Sequence, residues 1–574
     1  MAATTKNRDN FKLRTRVILG ALLFVILILV SRLYVLQIVH GNAYRAEASD
    51  QYVSTSGGFY DRGNIFFVDK DGLKVRGATI KTGFLLAVKP IEVTDPEGMY
   101  SVVAPFLQID KETFLARATK PDDPYEELAR NLSEDAAKTI SAAGFDGVLL
   151  IPEHWRYYPS GSLAAHTLGF VAYDGTERNG RYGLERYYED VLRRGASNLY
   201  VNFFAELFTN IRDVVFVPVS QREGDIVTTL EPGVQLELER ILMANRDKWS
   251  SQFTAGVVMD PQTGAIVAMA VSPSFDLNNF GQAKTANFAN PIVERVYEMG
   301  SIMKPLTMAA GLDAGVVEPT STYNDRGTIT LSGYTISNYD GRARGVVSMQ
   351  EVLSQSLNTG VAHVVTKMGK DEFRRYMYRF GLNKETGIDL PNEASNLIEN
   401  LNSPRELEYA TASFGQGVAV TPIAMVRALA ALPDGYIEQP HIVAAVEPEN
   451  GLTHKMNYSD VRERVLSPET VEEINRMLVK VVDEALLGGS MKMKHYSIAA
   501  KTGTAQIASP NGGYYDDRYL HSFFGYFPAY DAKFLVFLMN VEPQNVEYAS
   551  QTLTEPFMEM TRFLINHYDI PPDR

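Results

Sequence analysis

Three short stretches carry residue types whose spacing can do nucleophilic chemistry. In EMGSIMKPL, Ser301 stands three residues before Lys304, a separation that puts a hydroxyl and an amine on one face of a helix. At a helix start, unpaired backbone N–H groups and the helix dipole favour developing negative charge. Pro305 is compatible with that position, because a first-turn N–H has no helical partner. Read this way, Ser301 is a nucleophile and Lys304 its base. Read plainly, the stretch begins a helix with a surface lysine.

In SQSLNTG, Ser356 and Asn358 lie two apart. On a loop, the hydroxyl can relay a proton and the amide can hold a substrate carbonyl; the plainer alternative is a helix terminus with polar caps. In AAKTGTAQ, Lys501, Thr502, Gly503 and Thr504 follow apolar residues and read as a strand. Gly503 permits close approach of another backbone, as a peptide adding to the strand edge requires. A cation and two hydroxyls at that edge suit a carboxylate. Two of the patterns recur elsewhere: Ser509 to Asn511 repeats Ser-x-Asn, and Lys81 to Gly83 repeats Lys-Thr-Gly in what reads as a strand with a turn. The information lies in the order of the three, Ser-x-x-Lys, then Ser-x-Asn, then Lys-Thr-Gly on a strand.

The elements that must position these residues can be read around them. GDIVTTLEPGVQLELERIL gives a short strand, a Pro-Gly turn and an amphipathic helix, marking a boundary near residue 224. TAGVVMD and AIVAMAV are apolar runs joined by PQTG, a hairpin pattern. A helical middle runs from Ser301 to about Leu487, and strand-like runs return in HYSIAAKTGTAQIA, LHSFFGYFPA and FLVFLMNV. Strands at both ends of a helical middle predict an α+β domain whose ends share one antiparallel sheet. Upstream, Ser133 followed by Glu134 and Asp135 predicts a helix start.

The chain has 574 residues and a net charge of −14, a balance that argues against nucleic acid. With no cysteine, disulfides, thiolate metal sites and thiol catalysis are excluded. Nine histidines without ligand spacing give no metal site, and no cofactor is expected. At the N-terminus, Lys6, Arg8, Lys12, Arg14 and Arg16 precede VILGALLFVILILV, and LYVLQIV resumes after Ser31 and Arg32. Together these runs reach the ~20 residues a bilayer needs. The Ala46 to Ala48 pattern lies too far downstream for signal cleavage, so an uncleaved single anchor is expected. Its basic flank would stay in the cytoplasm, with the rest of the chain outside.

The ordered motif set resembles that of the class B penicillin-binding proteins, membrane-anchored D,D-transpeptidases of bacterial cell-wall synthesis. FYDRGNIFFVDKDG, with Arg62 and Gly63, RYYPSGSLAAHTLGFV and GLERYYEDVL are similar to that class's non-catalytic domain. TTLEPGVQLELE resembles the start of its catalytic domain, and SFGQGVAVTP a late helical segment. The resemblance implies a cytoplasmic tail (1–16), a transmembrane anchor (17–39), an extended pedestal of dimerisation type (40–223) and a serine β-lactamase-like transpeptidase domain (224–574).

The resemblance also implies roles. Ser301 attacks a D-Ala-D-Ala stem peptide and Lys304 acts as base. Ser356 relays the proton, Asn358 holds the substrate amide, and Lys501 neighbours the base. Thr502, Gly503 and Thr504 form the substrate strand, with the oxyanion between the N–H groups of Ser301 and Thr504. Expected partners are stem peptides, β-lactams, the membrane, a polytopic SEDS-type glycosyltransferase and other membrane proteins of division or elongation. SFGQG and SNYDGRARG look more like the division enzymes. A hydrolase of carboxypeptidase or β-lactamase type, and a non-turnover scaffold or β-lactam sensor, are the alternatives.

Overall fold

The computed structural model describes residues 61–574 apart from 108, 122, 176, 195–222, 450 and 511. The expected anchor and its basic flank lie outside the described residues. Among the described residues, no helix is long and apolar enough to cross a membrane. Two compact units are distinguished: 82–154 form one, and 61–81 with 155–574 form the other.

In the smaller unit, helices Pro96–Val103, Lys111–Ala118 and Glu134–Ala142 accompany strand Glu126–Leu132. Each helix begins at a side chain that accepts from a backbone N–H three residues on: Asp95 from Gly98, Asp110 from Thr113, Ser133 from Ala136. These bonds satisfy donors that a first turn leaves unpaired. The Ser133 cap is where the sequence predicts it. Leu86, Val88, Met99, Val103, Phe114, Leu128, Leu132 and Ile140 fill the core.

The larger unit begins with strand Ile65–Val68, antiparallel to the start of Lys74–Val88 and parallel to Gly224–Thr228. The latter pairs on its other side with Val443–Pro448. Gly63 is required here, since a Cβ at that position would lie 1.9 Å from the carbonyl oxygen of Gly224. Beside it, Glu185 is fully buried between Arg62 Nε and Arg156 Nε, each 2.6 Å away. Burial alone would push the Glu185 carboxyl up; Arg156 and Arg62 together hold it below the usual carboxylate range. Pro232 and Gly233, which read as a turn, are instead the first residues of helix α1 (Pro232–Trp249), whose cap Glu231 accepts from Val234 N–H. A fixed φ and a missing N–H cost nothing at that position.

The central sheet holds β1 (Phe253–Met259), β2 (Ile266–Ser272), β3 (Ala499–Ala508), β4 (Tyr514–Phe527) and β5 (Phe534–Val541). Its order is β3-β4-β5-β1-β2, antiparallel throughout. Strands from both ends of the domain thus share one sheet, as the sequence pattern predicts. Between β2 and β3 lie α2 (Lys304–Asp313), α3 (Asn358–Met368) and two short hairpin pairings within 322–348; after β5 comes α4 (Ala549–His567). Alternation along the strands divides the core. Phe523, Phe527, Val536 and Leu538 pack with Leu238 and Leu242 of α1 and Leu553 and Phe557 of α4. Phe524, Tyr526, Leu535 and Phe537 join the larger cluster that includes the helical middle. β3 is left as an edge strand.

Candidate active site

Ser301 lies in a single 3-10 turn, Gly300–Met303, that runs directly into α2. Gly300 has φ +64°, a region that favours glycine. A Cβ there would also meet the Thr504 carbonyl oxygen at 2.7 Å. The turn is held on its other side by Gly300 N–H donating to Gly415 O at 3.2 Å. Lys304, the first residue of α2, is 1% exposed. Its Nζ donates to the Ser356 carbonyl at 2.5 Å and lies 3.1 Å from Ser356 Oγ. The lysine expected to face the surface in the plainer reading is therefore buried against the second motif.

Ser356 reaches Lys304 because its backbone is left-handed, with φ +56°. A non-glycine residue in that region costs about 1 kcal/mol or more and persists where the surroundings enforce it. Asn358 opens α3, and its Nδ2 donates to Ser337 O at 2.9 Å, leaving Oδ1 as an acceptor without a partner among the described residues. The start of α3 is fixed by a group that sequence reasoning missed. Asp325, 1% exposed, accepts from Asn338 Nδ2 at 3.0 Å and from the Thr359 hydroxyl at 2.8 Å. Asn338 Oδ1 in turn accepts from Thr359 N–H at 3.2 Å. Buried polar groups satisfied in this way rigidify what they hold. SNYDGRARG, which contains Asn338, carries only a family likeness, and nothing in the sequence around Asp325 signals its role.

Lys501 and Gly503 lie on β3, where it passes the nucleophile turn. A Cβ at Gly503 would meet Ser522 Oγ at 2.4 Å, Met299 O at 2.8 Å and Ile302 Cγ2 at 3.1 Å. The Ser522 hydroxyl donates to Met299 O at 2.9 Å, stitching β4 to the same turn. Lys501, 4% exposed, donates to its neighbour's carbonyl, Thr502 O, at 3.0 Å. Burial pushes the Lys501 amine down to about 8. Lys304 is driven well below the ordinary lysine range, by burial first and by the Lys501 charge second. Thr504 Oγ1 accepts from Ala549 N–H at 3.1 Å, so its own proton stays free for a ligand.

Ser301, Ser356, Asn358, Lys501, Thr502 and Thr504 all line one cleft of about 690 Å³; Lys304 and Gly503 are buried. Lys81 to Gly83, by contrast, sit within the long strand Lys74–Val88 without a turn. Glu298, three residues before Ser301, accepts from Gly417 N–H at 3.0 Å and from the Tyr514 hydroxyl at 2.9 Å. It thereby ties the loop after Phe414 and the start of β4 to the nucleophile turn.

Residues 254–561 match the penicillin binding protein transpeptidase domain, and residues 61–204 the penicillin-binding protein dimerisation domain. The chain belongs to the class B penicillin-binding proteins. Stage V sporulation protein D of Bacillus subtilis is 29% identical over 561 residues, covering 96% of this chain and 85% of that one. Peptidoglycan D,D-transpeptidase FtsI of Escherichia coli K12 is 28% identical over 501 residues, covering 84% and 80%. In fold, the chain resembles a crystal structure of penicillin binding protein 3 from Mycobacterium tuberculosis complexed with aztreonam. The TM-score is 0.66 at 22% identity, covering 90% of this chain and 98% of that one. Penicillin Binding Protein 2X from Streptococcus thermophilus gives a TM-score of 0.70 at 21% identity, covering 89% and 81%. In this class B protein, the nucleophile turn, the Ser356 loop and the β3 edge form three sides of the cleft.

Proposed function

We propose that this chain is a peptidoglycan D,D-transpeptidase that cross-links stem peptides through a serine acyl-enzyme and is inhibited by β-lactams. The observation that carries this reading is Lys304, an amine buried one helical turn from Ser301 and held by Ser356 beside a second buried lysine. An amine held well below the ordinary lysine range gives up its proton more readily, and so can accept one as a general base must. Ser301 Oγ forms a bond to the carbonyl carbon of the penultimate D-alanine while its proton passes to Lys304. Collapse of the tetrahedral intermediate breaks the C–N bond. The departing D-alanine amine takes its proton through the Ser356 hydroxyl. An amine from a second strand then attacks the ester, and Ser301 regains its proton as the cross-link forms. The N–H groups of Ser301 and Thr504 hold the oxyanion. Asn358 Oδ1 accepts from the substrate amide, and Thr502, Thr504 and Lys501 receive the terminal carboxylate.

The finer reading follows the same likeness. The enzyme acts at the septum, anchored in the cytoplasmic membrane by 17–39 with its tail, 1–16, inside. Its pedestal (40–223) and transpeptidase domain (224–574) lie outside the membrane, beside a SEDS-type glycosyltransferase partner. Labelling of full-length protein in membranes with a fluorescent penicillin tests the chemistry. A stable adduct on Ser301, lost in Ser301→Ala with its melting temperature retained, is the expected result. Persistent labelling of Ser301→Ala refutes the mechanism. Rapid loss of label from the wild type, without cross-linked product from a stem peptide, makes it a hydrolase.

A further inference from the structure

His521 is fully buried in β4, directly opposite Thr504 on β3 and Asn540 on β5. Nothing in the mechanism above uses it. Its Nε2 lies 2.9 Å from the Glu547 carbonyl oxygen and its Nδ1 2.8 Å from the Thr552 hydroxyl. A carbonyl only accepts, so Nε2 carries the proton, and Nδ1 then accepts from Thr552. One neutral tautomer satisfies both contacts, and burial, which holds the imidazole down to about 4, keeps it in that form.

The two partners flank the first turn of α4. Glu547, Tyr548, Ala549 and Ser550 line the same cleft as Ser356. Ala549 N–H donates to Thr504 Oγ1. The beginning of α4 is therefore pinned twice, to the edge strand through Thr504 and to the next strand through His521. The imidazole spans the distance from the loop before the helix to a side chain inside it.

We propose that His521 is a positioning residue for carboxylate recognition: by pinning Glu547 and Thr552 it sets the wall of the cleft against Thr504. The inference rests on the reading of Thr502 and Thr504 as the carboxylate site. The Thr504 hydroxyl has one proton and already accepts from Ala549, so the direction of that proton, and hence its aim at a ligand, follows the placement of α4. A displaced α4 would leave the nucleophile turn intact and weaken only what the wall recognises.

The test compares benzylpenicillin with its methyl ester, taking the ratio of second-order acylation constants for acid over ester by stopped flow. Wild type should favour the acid. His521→Asn, and the near-isosteric Thr552→Val, should each lower the ratio about three- to tenfold, as expected for loss of one or two buried hydrogen bonds, through the acid constant alone. His521→Gln, whose amide reaches towards the Nε2 position and keeps a donor to Glu547, should retain more of the ratio. Equal losses for acid and ester would overturn the proposal, because a merely structural role slows both. If Thr504→Val lowers the ratio while His521→Asn and Thr552→Val leave it unchanged, the carboxylate reading stands and the role of His521 falls. A wild-type ratio of one overturns both.

Discussion

Replacement of Gly503 by alanine tests whether the geometry of β3 against the nucleophile turn sets the rate. The added Cβ would stand 2.4 Å from Ser522 Oγ, 2.8 Å from Met299 O and 3.1 Å from Ile302 Cγ2, where ordinary contact begins at 3.4 Å. Ser522 can relieve the first contact by rotating, at the loss of its bond to Met299, about 1 kcal/mol. It cannot relieve the second, because Met299 O is backbone two residues before Ser301. The strand and the turn must separate by roughly 0.6 Å to restore ordinary contact there. Overpacking of this kind costs about 1–3 kcal/mol of stability. Misplacement of reacting groups by about 1 Å costs on the order of a hundredfold in rate, so a shift of this size should slow acylation about tenfold or more. The assay is the second-order constant for acylation by a fluorescent penicillin, measured beside a thermal melt. Gly503→Ala should remain folded at 25 °C and acylate at least tenfold more slowly. A constant within threefold of wild type would refute the view that the contact between β3 and the turn places Ser301.

Two further outcomes follow from the buried charges. With the Lys501 amine pushed down to about 8, its cation is lost as pH rises through that value. Acylation of carboxylate-bearing ligands should therefore fall with a midpoint near pH 8, and Lys501→Arg, which stays charged, should move that limb upward; a rate that is flat from pH 7 to 9.5 excludes the role. Glu185→Gln removes the counter-charge that Arg62 and Arg156 share, while Arg62 keeps its pair with Glu189. Denaturant unfolding should show a loss of about 3–5 kcal/mol, the cost of a broken buried pair, whereas a loss below 1 kcal/mol would mean that the arginines find other acceptors.

Much of the catalytic half was legible because its signals are local. The β1–β2 hairpin announces itself through apolar runs and PQTG, and β3 through its apolar approach to Lys501. Proline was ambiguous: next to a glycine, Pro232 fits a turn and a first helical residue equally, and only the Glu231 cap decides between them. Other features depend on contacts between residues distant in the chain. Gly63 is needed because of Gly224, and Gly503 because of Met299 and Ser522. The left-handed backbone of Ser356 leaves no trace in its residue type, since its surroundings impose it. Asp325, Asn338 and Thr359 are ordinary surface letters until the hairpins at 322–348 fold them inward. Glu298 likewise carries no signal in its residue type, although it lies three residues before Ser301 in EMGSIMKPL.

The site concentrates unfavourable energy in a few residues, and that links its energetics to its chemistry. Holding Lys501 as a cation at pH 7, with its amine depressed from 10.5 to about 8, costs about 3 kcal/mol. A depressed lysine weakens the folded state below pH 8, and the penalty fades as pH rises towards the unfolded value. Lys304, held well below the ordinary lysine range by burial and by the Lys501 charge, weakens the folded state in the same sense. The charge of Lys501 adds to the depression of Lys304, so the two buried amines are energetically linked. The left-handed Ser356 adds strain of about 1 kcal/mol or more, and in return both its carbonyl and its hydroxyl meet the Lys304 amine. None of these residues is where a sequence chosen for stability alone would place it. Met299, Ser522 and the Asp325 network hold them there, and they do so from outside the three motifs.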